Sequence, residues 1–112
     1  MNIKKWNVYL TDLNPGYNAE PGKVRPAVVV QTDLLNNTHP TTIICPITTK
    51  VQTKSSLLRV HIKKTEGGLK QVSDILVDQI RAIDNRRFQK RLGVLDNSSI
   101  VKLKECLNLI LD

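Results

Sequence analysis

The chain has 112 residues, enough for one compact domain with its own core and too few for two. Leu, Ile and Val supply 35 of them, too many for intrinsic disorder, yet no apolar run approaches the roughly 18 residues of a membrane span. Seventeen Lys and Arg against ten Asp and Glu leave +7, spread over both halves, which excludes a basic tail and favours a polyanionic partner, nucleic acid ahead of an acidic protein or a membrane surface.

The N-terminal segment Met1–Asn7 has no apolar stretch behind Lys4 and Lys5, so no signal peptide is expected and the expected location is the cytoplasm. Trp6, Val8 and Leu10 alternate with Asn7, Tyr9 and Thr11, which predicts a half-buried strand. A loop from Pro15 to Val24 follows, with two Pro and two Gly in ten residues. Ala27–Val30 and Ile43–Ile47 are unbroken apolar strands, and Pro46 marks the second as an edge or as the seat of a bulge. The polar loop Thr49–Ser56 carries Lys50 and Lys54. Leu58, Val60 and Ile62 then alternate with Arg59, His61 and Lys63, so His61 reads as an ordinary exposed strand residue. Asp74–Ile83 is expected to be one long strand, with Leu76 and Ile80 facing opposite to Ile75 and Val77. A basic connection at Asn85–Phe88 leads to a last strand over Lys90–Leu95.

The period then changes. Ile100, Leu103, Leu107 and Ile110 fall on one face of a helix, with Val101 and Leu111 widening the stripe. Asp96, Asn97 or Ser98 can cap its first amides, and Lys102 and Lys104 lie off the stripe in solvent. The expectation is a single domain over residues 1–112, mainly β, a small barrel closed or covered by its terminal helix.

Cysteine and histidine arithmetic narrows the chemistry. Cys45 and Cys106 sit in apolar patterns without a CxxC, and His39 and His61 are 22 residues apart. No metal site is expected, and a two-histidine ribonuclease pair would require the fold to bring His39 to His61. Four aromatics, Trp6, Tyr9, Tyr17 and Phe88, are few for a base-stacking platform.

Three segments carry a resemblance. Glu20-Pro21-Gly22-Lys23-Val24-Arg25-Pro26 before Ala27–Val30, then Pro46-Ile47-Thr48, then the block Asp74–Asp84 with Asp78-Gln79-Ile80-Arg81 inside it, follow in the order and spacing of the MazF/PemK toxin endoribonucleases. The chain resembles that family from Val8 to its end. It departs from the pattern at Trp6-Asn7, where the family carries Gly-Asp or Gly-Glu, at Ala19 in place of Ser or His, and at Pro21 in place of Gln.

The resemblance implies an SH3-like barrel, a symmetric homodimer, cleavage of single-stranded RNA without metal or cofactor, and inhibition by an antitoxin with an acidic disordered segment. In such a cleavage the 2′-hydroxyl attacks phosphorus, charge builds on the non-bridging oxygens, and fixed donors there supply the largest single term. Arg25 would be the clamp, since a guanidinium keeps its charge and forks onto phosphate. Thr48 matches the family's catalytic Thr or Ser and would donate to a phosphate oxygen or relay a proton to the leaving oxygen. Asn18 and Glu20 are expected to bind substrate, Glu20 by accepting the 2′-hydroxyl proton or bonding a base, unless it only ties the loop. Lys50 and Lys54 suit flanking phosphates. Gln79 suits a base edge, or else satisfies buried backbone. Two other readings stand beside this one, a non-enzymatic toxin of the same fold acting on a protein such as DNA gyrase, and an RNA-binding module that no longer cleaves.

Overall fold

In a computed structural model, which describes residues 1–14, 23–54 and 57–112, seven strands precede one helix. The strands are β1 (Asn7–Asp12), β2 (Val24–Val29), β3 (Thr41–Thr48), β4 (Arg59–Ile62), β5 (Ser73–Leu76), β6 (Arg81–Asp84) and β7 (Phe88–Val94); α1 spans Asn97–Leu111. They form one antiparallel sheet in the order β4-β5-β3-β2-β1-β7, with β6 also on β3. The sheet is strongly bent and barrel-like but stays open between β4 and β7. Among the described residues no helix is long and apolar enough to cross a membrane.

Both faces of the central strands are covered, which explains their unbroken apolar runs. Val8, Val28, Cys45, Ile47, Val60, Ile62 and Ile75 point to one core with Leu95 and, from α1, Leu103 and Cys106. Tyr9, Ala27, Val29, Ile44, Ile83 and Phe88 point to the other, closed by Ile3 and Leu13. Burial pushes the Cys45 thiol up to about 12, so it acts as a small hydrophobe.

The expectation that Pro46 marks an edge or a bulge is corrected. β3 is the strand with most partners, flanked by β2 on one side and by both β6 and β5 on the other. Its pairing with β6 ends at Ile44 and its pairing with β5 begins at Ile47, so Pro46 falls in the gap between two partners, where that side of the ladder makes no demand on its nitrogen.

The long strand expected over Asp74–Ile83 is likewise three elements. β5 ends at Leu76, a 3-10 turn takes Val77–Gln79, and β6 begins at Arg81. The turn carries the chain from the C-terminal half of β3 to its N-terminal half.

The helix keeps its inner stripe, with Leu103 and Cys106 buried, but Val101 and Leu111 stand in solvent rather than widening it. Asp96 occupies the N-cap position and its carbonyl accepts from the Ile100 amide at 3.0 Å, but its side chain does not bond the helix amides. Its carboxylate turns to Lys63 at 3.4 Å, and its N–H donates to Glu66 Oε2 at 3.1 Å. Trp6 stands at φ 66, in the left-handed region that glycine enters without cost, where the resemblance leads one to expect a glycine. The neighbouring Asn7 is buried, accepts from Arg91 Nε at 2.7 Å and donates to the Lys5 carbonyl at 3.0 Å.

Candidate active site

Strand register assembles the site. β2 and β3 pair at Ala27↔Pro46 and Val28↔Cys45, and continuing that register by two residues sets Arg25 across from Thr48. Thr48 pairs on its other side with Asp74, and Asp74 with His61. Because directly opposed residues share a face, Thr48, Asp74 and His61 form one lateral row across β3, β5 and β4, and the extended β2 register carries that row on to Arg25.

Arg25 is half-buried near the start of β2, where its carbonyl accepts from the Thr11 hydroxyl at 2.9 Å. Thr48 closes β3 and is 6 % exposed; its Oγ1 accepts from the Lys50 amide at 3.1 Å, which leaves the hydroxyl proton to be donated elsewhere. Lys50 is exposed, and its carbonyl accepts from Arg59 Nη1 at 2.9 Å. Lys54 is exposed in the same loop. Gln79 is half-buried at the end of the 3-10 turn after β5, outside the row. Asn18 and Glu20, with the departures Ala19 and Pro21, lie outside the described residues. Nearby, Arg86 holds the Asp84 carboxylate with two bonds of 3.0 Å.

The electrostatic centre of the row was missed in the sequence. Asp74 is fully buried, and accepts from His61 Nδ1 at 2.6 Å, Arg59 Nη1 at 3.0 Å and the Gln52 amide at 2.9 Å. Burial pushes its carboxyl up, but the Gln52 amide, His61 and Arg59 together hold it below the ordinary value. So His61 is no ordinary exposed strand residue. A signal for this existed: Gly67-Gly68 centres the hairpin between β4 and β5, and equal steps outward from it match His61 to Asp74. His39 is not part of it. It precedes β3, at the opposite end of that strand from Thr48 and His61, so no two-histidine pair forms.

Thr49 and Pro26, the chain neighbours of Thr48 and Arg25, line a cleft of about 300 Å³ with Leu10 and Leu92, rimmed by Lys70, Gln71 and Lys90. Among the described residues no cluster of three or more His, Cys, Asp or Glu is arranged to hold a metal.

A basic, barrel-like β fold with a guanidinium across from a hydroxyl at the ends of adjacent strands defines the class, and comparison with known proteins agrees with it. Residues 4–111 match the family described as PemK-like, MazF-like toxins of type II toxin–antitoxin systems, and the chain belongs to that family. It is 36 % identical over 111 residues to the endoribonuclease EndoA of Bacillus subtilis (strain 168), covering 99 % of this chain and 96 % of that one. With the endoribonuclease MazF of Staphylococcus epidermidis the identity is 35 % over 109 residues, covering 97 % and 91 %. The fold is shared with crystalline MazF of Deinococcus radiodurans, at a TM-score of 0.83 and 21 % identity over 99 % of this chain and 97 % of that one.

Proposed function

We propose that this chain is the toxin of a type II pair and a sequence-specific endoribonuclease of single-stranded RNA, working in the cytoplasm as a homodimer. One observation supports the reading: β2 and β3 pair with Ala27 across from Pro46, a register that, carried on two residues, brings Arg25 opposite Thr48, in a chain more than a third identical to relatives named endoribonucleases. Arg25 clamps the non-bridging oxygens with its planar fork. The Thr48 hydroxyl, its oxygen engaged by the Lys50 amide, donates its proton to the same phosphate. Lys50 and Lys54 hold neighbouring phosphates, adding affinity that falls with salt. Asn18, Glu20 and Gln79 contact the RNA, and an antitoxin with an acidic segment occupies the same basic surface.

The test is product chemistry. Purified protein in EDTA is expected to cut single-stranded RNA at a short motif, leaving 2′,3′-cyclic phosphate and 5′-hydroxyl ends, because the internal 2′-hydroxyl is the nucleophile. Arg25→Ala should lose on the order of 10²–10³-fold in rate, the usual consequence of removing one donor from a transition-state clamp. Products with 5′-phosphate ends, or an undiminished Arg25→Ala enzyme, would overturn the reading.

A further inference from the structure

The proton that the leaving 5′-oxygen needs has no good source in Arg25 or Thr48, and the same row of side chains holds one. We infer that His61 is the general acid of this chain's RNA cleavage and that Asp74 is its positioning residue, an assignment that rests on the reading of Arg25 and Thr48 as the phosphate site.

Asp74 is fully buried, yet among the described residues its side-chain oxygens meet only cationic or N–H donors, so it is present as a carboxylate. It accepts from His61 at Nδ1, 2.6 Å away, which fixes the tautomer and leaves Nε2 as the atom that gains or loses a proton. The imidazole itself is 37 % exposed, open to a substrate from the solvent side. A buried carboxylate holding the far nitrogen of a half-exposed imidazole is the arrangement that orients a catalytic histidine. Placement agrees. His61 and Thr48 flank Asp74 on either side in the sheet, so their backbones stand about 10 Å apart at the usual strand spacing. A phosphate that accepts from Thr48 on one side turns its 5′-oxygen toward the imidazole on the other, which is the atom the acid has to reach.

The step balances without a co-reactant other than water. The 2′-oxygen bonds to phosphorus as its proton passes to solvent. The P–O5′ bond breaks with its electron pair on oxygen, and the imidazolium Nε2–H supplies the proton that completes the 5′-hydroxyl. The neutral imidazole then takes a proton from water. The charged groups around the ring are Asp74 from β5, Arg59 on β4 and held by Asp74 and the Lys50 carbonyl, Lys50 itself, and Lys63 just past β4, turned to Asp96.

Three variants of the full chain, His61→Gln, Asp74→Asn and Arg25→Ala, are compared on an RNA with an ordinary 5′-oxygen at the cut and on one with a bridging 5′-sulfur, which leaves without a proton. His61→Gln is expected to lose on the order of 10²–10³-fold in kcat on the oxygen substrate, within the usual range for proton transfer, with KM within a few-fold. It should recover to near the wild-type rate on the sulfur substrate and lose the alkaline fall of the wild-type pH–rate profile. Asp74→Asn should show a smaller loss with the same recovery, and Arg25→Ala should be slow on both substrates. A His61→Gln enzyme that keeps the wild-type rate, or is equally slow on both substrates, overturns the assignment while Arg25→Ala remains slow. An Arg25→Ala enzyme at the wild-type rate overturns instead the reading on which it rests.

Discussion

A single carboxylate organises the exposed end of this sheet. Asp74 gathers Arg59, His61 and the Gln52 amide, and through Arg59 it reaches the Lys50 carbonyl, next but one to Thr48. Its stability contribution has a definite sign. Its native pKa lies below the ordinary 3.8, so the unfolded chain takes up this proton more readily than the folded one. The contribution is therefore complete above about pH 4 and is lost as pH falls through the lower native value. Asp74→Asn should destabilise the protein by about 1–3 kcal/mol at pH 7, since the donors around it lose a charged acceptor. Thermal melts of both proteins between pH 7 and pH 2.5 should show the gap closing below pH 4; a gap that stays constant to pH 2.5 would remove this account. In the sequence, Arg25 and Thr48 were marked as candidates only by a resemblance. His61 was not, because strand alternation reports only which side a residue faces and is silent on the neighbour across the hairpin.

At the level of elements, alternation succeeded where one partner sits on each side and failed where a strand changes partners. β4 matches its pattern residue by residue, with Val60 and Ile62 buried and His61 outward. Across Asp74–Ile83 the 3-10 turn keeps Val77 buried and sets Asp78 in solvent, a change from inside to outside that one continuous strand would also show, so the break goes unannounced. The same logic misplaced Pro46, since the sequence does not say that β3 passes from β6 to β5 around it. Two elements also approach closely where the Gly67-Gly68 turn crosses β7 at Gly93. A Cβ on Gly93 would stand 2.5 Å from the Gly67 carbonyl carbon and 2.7 Å from the Gly68 nitrogen, both backbone atoms that no rotamer change can move. Gly93→Ala is therefore expected to cost at least about 1–3 kcal/mol, the range for overpacking. Urea unfolding would register this as a lower midpoint at unchanged slope, and an unchanged midpoint would show that the turn and β7 separate freely. Leu109→Lys, on the exposed side of α1, is the matched control and should shift stability by less than about 0.5 kcal/mol.

For the whole molecule, net charge and size act together. A chain of 112 residues with +7 offers one row proposed to clamp phosphate, and a two-fold axis would supply a second. Doubling the row lengthens the RNA held and steepens the salt dependence, because each phosphate neutralised on a single strand adds about 0.7 to the slope of log K against log salt. An acidic, disordered segment of the proposed antitoxin would spend part of its interaction energy on ordering and so gain most where positive charge is densest. Light scattering at micromolar concentration is expected to give twice the chain mass of 12.6 kDa. An acidic peptide should inhibit cleavage by competing with RNA, its apparent affinity falling as salt is raised. Lys50→Ala should weaken RNA and peptide in parallel, since both depend on charge at the end of β3. A monomer that still cleaves would remove the doubled row. A peptide that inhibits while RNA remains bound would place the antitoxin away from Arg25 and Thr48.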